Sequence, residues 1–306
     1  MHLFKRLQAK IAHDNQTIPY ANNPVNRESD MVTDDPFPSV IDAPYLLAHD
    51  LPEHNRLEFQ HFFLKGVLHT NYQAPLDKTS LQAILDVGSG TGRWVIEMAQ
   101  SFPQATVTGL DLVETAITDP PNILFVQHNA LDGLPFANDC FDYLHSRLLV
   151  AGIPAAAWSS LLLEYVRVTR PGGWIELLEG GTTFVNIGPC TQQYLTWWDQ
   201  ISRQRGIDAS LISQLPEIMQ RIGVKNLRKR LLHVPIGEWG GRAGSLLLTN
   251  ITAGWKNLRG TFIEQLGIAP SQFDYTFNGL TEEWERLHTQ YEYISIFGQI
   301  PDPRTR

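Results

Sequence analysis

At 306 residues the chain is long enough to bury one large core or two small ones, and with 43% apolar and 18% charged residues its composition is that of an ordinary soluble protein. A net charge of −8 argues against a nucleic-acid scaffold held through phosphates. Cys140 and Cys190 are too few for a disulfide framework and lack metal-ligand spacing, and no apolar run is long enough for a signal peptide or a membrane span, so a cytoplasmic protein without a metal is expected.

Residues 1–45 are expected to form an N-terminal arm: Leu3, Phe4, Leu7 and Ile11 could line one side of a short helix, and the Asn-, Asp- and Pro-rich stretch after it has no sustained period. From Pro52 the apolar residues Leu57, Phe59, Phe62, Phe63, Val67 and Leu68 recur at helical spacing between Glu53, Arg56, Glu58 and His61, which predicts an amphipathic helix directly before the core. Next comes Ile84-Leu85-Asp86-Val87-Gly88-Ser89-Gly90-Thr91-Gly92, an apolar run broken by three alternating glycines, and then Trp94 to Ala99 with helical spacing. This reads as strand, tight turn and helix, the opening of a βαβ unit. Glycines suit such a turn because a Cβ would hold a ligand off the backbone and because positive φ is often needed.

The strand-like run from Ala105 closes on Asp111, the position at which an acid can accept hydrogen bonds from ribose hydroxyls. A nucleoside-bearing cofactor is the leading reading, although the spacing is G-x-G-x-G rather than the dinucleotide G-x-G-x-x-G. Further strands are expected at Ile123 to Gln127, Phe141 to His145 and Trp174 to Glu179, with a loop over Asn129 to Phe136, a helix over Trp158 to Val168 and a sharp turn at Pro171-Gly172-Gly173. Strands alternating with helices in this way predict an α/β fold with a doubly wound, mostly parallel sheet.

The last third reads as helices at Thr191 to Arg205, Leu211 to Ile222, Gly244 to Leu266 and Leu280 to Gln290, with strands at Leu227 to Val234 and Tyr291 to Phe297. Helical insertions, about residues 183–222 and 240–280, are expected to interrupt one domain over 46–306 and to form a lid. Between Arg203 and Arg230 the cations Arg203, Arg205, Arg221, Lys225, Arg228, Lys229 and Arg230 face only Asp208 and Glu217, which fits a solvated surface or a rim that attracts an acidic substrate.

Ile84 to Gly92, Asp111, the Asn129-Ala130 to Leu134-Pro135-Phe136 loop, Phe141-Asp142 and Arg170-Pro171-Gly172-Gly173 occur in the order found in class I S-adenosylmethionine-dependent methyltransferases. The chain resembles that superfamily over about residues 80 to 180, and the helix before the core and the closing strand resemble its LaeA-like branch. The resemblance implies a Rossmann-like seven-stranded sheet of order 3-2-1-4-5-7-6 with strand 7 antiparallel, and S-adenosyl-L-methionine as cofactor. It implies that Gly88, Ser89, Gly90 and Gly92 let the backbone approach the methionine and ribose parts, that Asp86 steadies this loop, and that Asp111 accepts from the ribose hydroxyls. It further places Leu112 against the adenine, Asn129 with Ala130 at the adenine amino group where the family often has an acid, and Ser146 after strand four.

Methyl transfer from a sulfonium needs alignment, exclusion of water and, for a weakly acidic acceptor, a base, without a metal. The candidate base is His145, read as the carboxyl end of strand four, with a satisfied core histidine as the other reading. Arg147 and the pair Trp197 and Trp198 are candidates for the substrate side, the tryptophans as an aromatic lid or as packing of the insertion. The expected acceptor is a small molecule with a hydroxyl or amine, in secondary metabolism, and neither nucleic acid nor a membrane span is expected. The acceptor's identity and the oligomeric state are not written in the motifs. Two competitors are a nicotinamide-dependent oxidoreductase, disfavoured by the glycine spacing, and a non-catalytic cofactor-binding regulator.

Overall fold

The computed structural model describes residues 51–115 and 117–305; the arm over 1–45, with the helix expected at Leu3 to Ile11, lies outside them. Helix α1, Leu51–Leu68, precedes strand β1, Ala83–Val87, which is buried at every position, as a central parallel strand must be. Helix α2, Arg93–Ser101, buries Trp94, Val95, Met98 and Ala99 as one stripe. Then follow β2 (Thr106–Asp111), β3 (Ile123–Gln127), β4 (Phe141–Arg147), α3 (Trp158–Val168) and β5 (Thr169–Val185). The remainder is α4 (Pro189–Gln204), α5 (Leu215–Arg221), β6 (Lys225–Pro235), α6 (Gly241–Asn257), α7 (Arg259–Leu266), α8 (Pro270–Leu287) and β7 (Gln290–Gln299). The seven strands form one sheet of order β3-β2-β1-β4-β5-β7-β6, parallel except for β7, which runs against both of its neighbours.

Alternation along the strands divides the core. Ala83, Leu85, Val87 and Leu144 face α3 and α5, whereas Ile84 and Tyr143 face α2. A third apolar cluster joins Phe63 and Leu64 of α1 to α4, α6, α7 and α8, on a floor that includes Leu178, Leu232, Val234 and Tyr293. These helices form a cap. Its floor is an extension of the sheet: β4 ends where Arg147 pairs with Leu178, while β5 continues to Val185 against Gln290, and β6 accompanies them to Pro235.

Several boundaries differ from the sequence reading. Strand β4 runs on through Ser146 and Arg147. Pro171-Gly172-Gly173 is not a turn before β5 but an irregularity within it: pairing steps from Phe141 opposite Thr169 to Tyr143 opposite Trp174, and Gly172 supplies a φ of 83°. Helix α8 starts at Pro270, not at Leu280, because Phe273, Thr276, Leu280, Glu283 and Trp284 make one buried stripe behind a proline in the first turn. The helix expected from Gly244 breaks at Leu258 into α6 and α7.

The expected insertion at 183–222 serves two places. Helix α4 belongs to the cap, whereas Ile212, Leu215, Ile218 and Met219 pack with Tyr165 and Ile175 under the sheet. The cations of β6 are also displaced from the role of a cleft rim. Lys225 pairs with Gln299, which pairs with Trp174, so Lys225 to Arg230 begin at the amino-terminal edge of the sheet, away from the carboxyl ends of β1 and β4.

Candidate active site

The glycine turn sits between β1 and α2. Gly88 and Ser89 donate their N–H groups to Leu110 O at 2.8 and 3.1 Å, and Gly92 donates to Ser89 O at 2.9 Å. All three glycines have positive φ, between 53 and 74°, which a side chain would strain. Their free sides differ, however. A Cβ on Gly88 would strike Leu149 at 2.3 Å and one on Gly92 would strike Phe125 at 2.7 Å, but one on Gly90 would meet only Leu57 of α1, at 3.9 Å. Gly88 and Gly92 are therefore required by packing, and Gly90 alone borders open space beneath α1.

Asp111 completes this corner. It accepts from Gly90 N at 2.7 Å and from Val113 N at 3.1 Å through different oxygens, so each oxygen keeps acceptor capacity. Burial raises its pKa and the nearby Asp86 adds to the rise, against the backbone hydrogen bonds that hold it down. Asp111, Val113, Phe125, Val126 and Gln127 line a cavity of about 170 Å³ just beyond the carboxyl ends of β2 and β3. Leu112 lies at its edge, its carbonyl taking a hydrogen bond from Gln127. Asn129 acts locally, since its side-chain oxygen caps the one-turn 3-10 helix Ala130–Asp132 by accepting from Leu131 N at 3.0 Å. Asp132 is exposed.

Because β4 is longer than expected, His145 lies inside the strand and not at the mouth of the cleft. It is 3% exposed, its ring is stacked on Trp94 at 4.1 Å, and its Nδ1 is 2.7 Å from Asp86 Oδ1 on the adjacent strand. Registry explains the pairing: Asp86 and His145 are direct partners in the sheet and share a face. Ser146, one residue on, points the other way and is fully buried, with its hydroxyl beside that of buried Tyr165. The Ser89 side chain, 8% exposed, turns over Gly109 instead of toward the space above Gly90.

The model of a family described as methyltransferase domain matches residues 84–173, from β1 into the irregular start of β5. The chain is 30% identical over 215 residues to the secondary metabolism regulator LAE1 of Cochliobolus heterostrophus, covering 64% of this chain and 67% of that protein. The chain belongs to the class I S-adenosylmethionine-dependent methyltransferases. Its match to LAE1 places it with the LaeA-like branch. It is also 24% identical over 276 residues to the N-methyltransferase sirN of Leptosphaeria maculans, covering 85% of this chain and 96% of that one. Among solved structures, a phosphoethanolamine N-methyltransferase 2 of Haemonchus contortus, in complex with phosphomonomethylethanolamine and S-adenosylhomocysteine, shares the fold at a TM-score of 0.50 and 17% identity. The match covers 85% of this chain and 55% of that one, so the methyltransferase spans about half of that enzyme's length.

The residues present fit the cofactor of this family. Open space above Gly90, a carboxylate with spare acceptor capacity at Asp111 and a cavity beside it are what a nucleoside and its ribose require. Asp86, held by His145, sits two residues before Gly88.

The cap side of the methyltransferase is built differently. Arg147, at the end of β4, shares the face of Asp86 and His145 and donates to His61 Nδ1 of α1 at 3.3 Å. His61 is 1% exposed; burial and then the Arg147 charge lower its pKa to about 4, so it is neutral and able to accept. Helix α1 is thus not simply amphipathic: Glu53 and His61 are buried while Phe62 is 52% exposed. Arg56 clasps Glu53 at 2.6 and 2.7 Å and reaches Asn250 of α6 at 3.3 Å. Glu179, fully buried, accepts from Leu149 N and Val150 N, and burial pushes its pKa up to about 8.

Trp197 is 4% exposed and packs in the middle of the cap against Phe262 and Phe273. Tyr194 is stacked on Trp255 at 4.0 Å in the same cluster. Trp198 is part-buried beside it, with an indole N–H that has no partner among the described residues. His61, Asn250 and Tyr293 carry no signal in the sequence that marks them as site residues. The Arg56 to Asn250 contact joins positions 194 apart, and no local pattern announces it.

Proposed function

We propose that this methyltransferase transfers a methyl group to a hydroxyl or amine of a small-molecule acceptor by direct displacement, in the cytoplasm and within secondary metabolism. S-adenosylmethionine supplies an electrophilic methyl group on a sulfonium. The chain supplies position: Asp111 and the Gly90 turn fix one end, the Asp86–His145 pair braces the turn, and α1 with the cap keeps water from the carboxyl edge of β4 and β5. The supporting observation is the cap itself, helices and a three-stranded floor placed beside the carboxyl ends of β1 and β4, which carry a glycine bordering open space and a cation.

The test is to incubate the protein with methyl-labelled S-adenosylmethionine and fractionated small molecules from its own source. Label should enter a small organic product, and Gly90→Val should stop it. The similarity to LAE1, named a secondary metabolism regulator, favours a second reading, a regulator that binds cofactor without turning over a small molecule. Cofactor binding by the parent with no labelled small product in any fraction, and a protein that copurifies with it, would support that second reading.

A further inference from the structure

Resting on the acceptor site proposed above, we propose that Arg147, with the Tyr293 hydroxyl beside it, recognises a carboxylate on the acceptor, so that the natural substrate is an acid or carries one near the methylated atom. The guanidinium of Arg147 is part-buried at the end of β4, and no carboxylate among the described residues forms an ion pair with it. The acids around it are committed elsewhere. Asp86 is bound to His145, Glu97 takes Lys65 at 2.6 Å and Asn71 at 2.8 Å, and Glu53 is clasped by Arg56.

An arginine has five N–H donors and remains charged in a protein. The one hydrogen bond of Arg147 to a described side chain goes to neutral His61, which leaves N–H donors without a partner, while Asp86 and Glu97 act on its charge only through space. Charges withdrawn from water are normally paired, and an arginine fork matches a carboxylate bidentately. Tyr293, 3% exposed, feels the charges of both Arg147 and Arg56, and its hydroxyl makes no hydrogen bond to a described residue, so a second donor stands at the same place.

Position sets this charge apart from the ribose end of the cofactor. Arg147 pairs with Leu178 in the sheet, and its other neighbours come from α1 and β7, whereas Asp111 lies two strands away on β2. Aromatic acids are suitable probes because Phe63 of α1 and Tyr293 of the adjoining floor lie together, with ring centres 6.4 Å apart.

With the protein saturated in S-adenosylhomocysteine, calorimetry or saturation-transfer NMR would compare phenylacetate and indole-3-acetate with phenylacetamide and indole-3-acetamide. The acids should bind about tenfold tighter than the amides, Arg147→Gln should erase the difference, and Arg147→Lys should keep part of it. The proposal is overturned if acids and amides bind the parent equally, or if Arg147→Gln keeps the preference. It is also overturned if Arg147→Gln weakens S-adenosylhomocysteine but not 5′-methylthioadenosine, which lacks the amino acid, since the guanidinium would then hold the cofactor's own carboxylate. Failure of the parent to bind S-adenosylhomocysteine would instead remove the cofactor reading beneath it. Both variants should melt no lower than the parent, because removing or shortening a cation that lacks a counter-ion costs little.

Discussion

The two halves of the site are made of different material. On the cofactor side, at β1 and β2, the decisive groups are backbone amides, positive-φ glycines and one carboxylate held by N–H donors. On the cap side, at β4, β5 and β7, they are side chains from distant parts of the chain: Arg147, His61, Arg56, Asn250 and Tyr293. A backbone site fixes one ligand and leaves a short motif, whereas a side-chain site can be re-specified by a few substitutions and leaves none. This is the physical sense in which the cofactor is legible and the acceptor is not.

The sharpest test of that contrast is Gly90→Val. A β-branched residue at a φ of 53° is strained, and its methyl groups enter the open space beneath Leu57. Calorimetry should detect no S-adenosylhomocysteine binding, and retained affinity would show that the backbone there does not touch cofactor. Asp111→Ala should weaken the same binding by about 1.5 to 3 kcal/mol, the range for hydrogen bonds to a charged group.

A second test uses pH on the cap side. His61 titrates near its ordinary 6.5 when unfolded but only near 4 when folded. Between those values the unfolded chain binds more protons, so the contribution of His61 to stability is complete above about 6.5 and is lost as pH falls toward 4, by about 2 to 3 kcal/mol. His61→Gln keeps an acceptor for Arg147 and cannot titrate. Denaturant unfolding should therefore show the variant gaining on the parent as pH falls, and a gap that stays constant with pH would mean that the fold leaves His61 at its ordinary pKa.

A smaller effect is expected at His145. Its bond to Asp86 braces the glycine turn, so His145→Gln should weaken S-adenosylhomocysteine binding by about 1 kcal/mol and leave the pH profile of methyl transfer unchanged. Loss of a pH-dependent limb in the rate, with cofactor affinity intact, would restore the reading of His145 as a base. Smallest of all, hydrogen exchange in α4 and α6 to α8 should slow on adding cofactor product and an acidic probe together, while β1 and β4 change little. Equal protection with and without ligands would count against a lid.

The strands of the cofactor half were legible because buried parallel strands are apolar runs and because glycine and Asp111 mark their ends. The true end of strand β4 was hidden because His145, Ser146 and Arg147 are polar; Asp86 satisfies His145, while Arg147 makes one contact, to His61. Trp197 and Trp198 were legible as aromatic but not as to direction, because adjacent helical residues face different neighbours, which only tertiary packing chooses. Pro270 opens α8, but the stripe it begins includes Thr276 and Glu283, polar residues that hide the helical period. Glu283 is buried because it accepts from Gly188, Cys190 and Thr191, a pairing across more than ninety positions.

The floor of the cap has a mechanical consequence. Strands β5, β7 and β6 pass from the sheet into the cap, β5 and β7 paired on both sides of one irregularity between Gly180 and Phe184, and β6 paired with β7 throughout from Arg228 to Pro235. A hinge at that level would have to break several adjacent ladder hydrogen bonds at once, so Leu178 and Tyr293 behave as a fixed anvil, and any movement that admits an acceptor falls to the loops between helices. Grafting a different cap onto this floor should then change what the enzyme accepts while leaving the cofactor seat untouched, which makes helices α4 and α6 to α8 a natural unit for exchange among relatives.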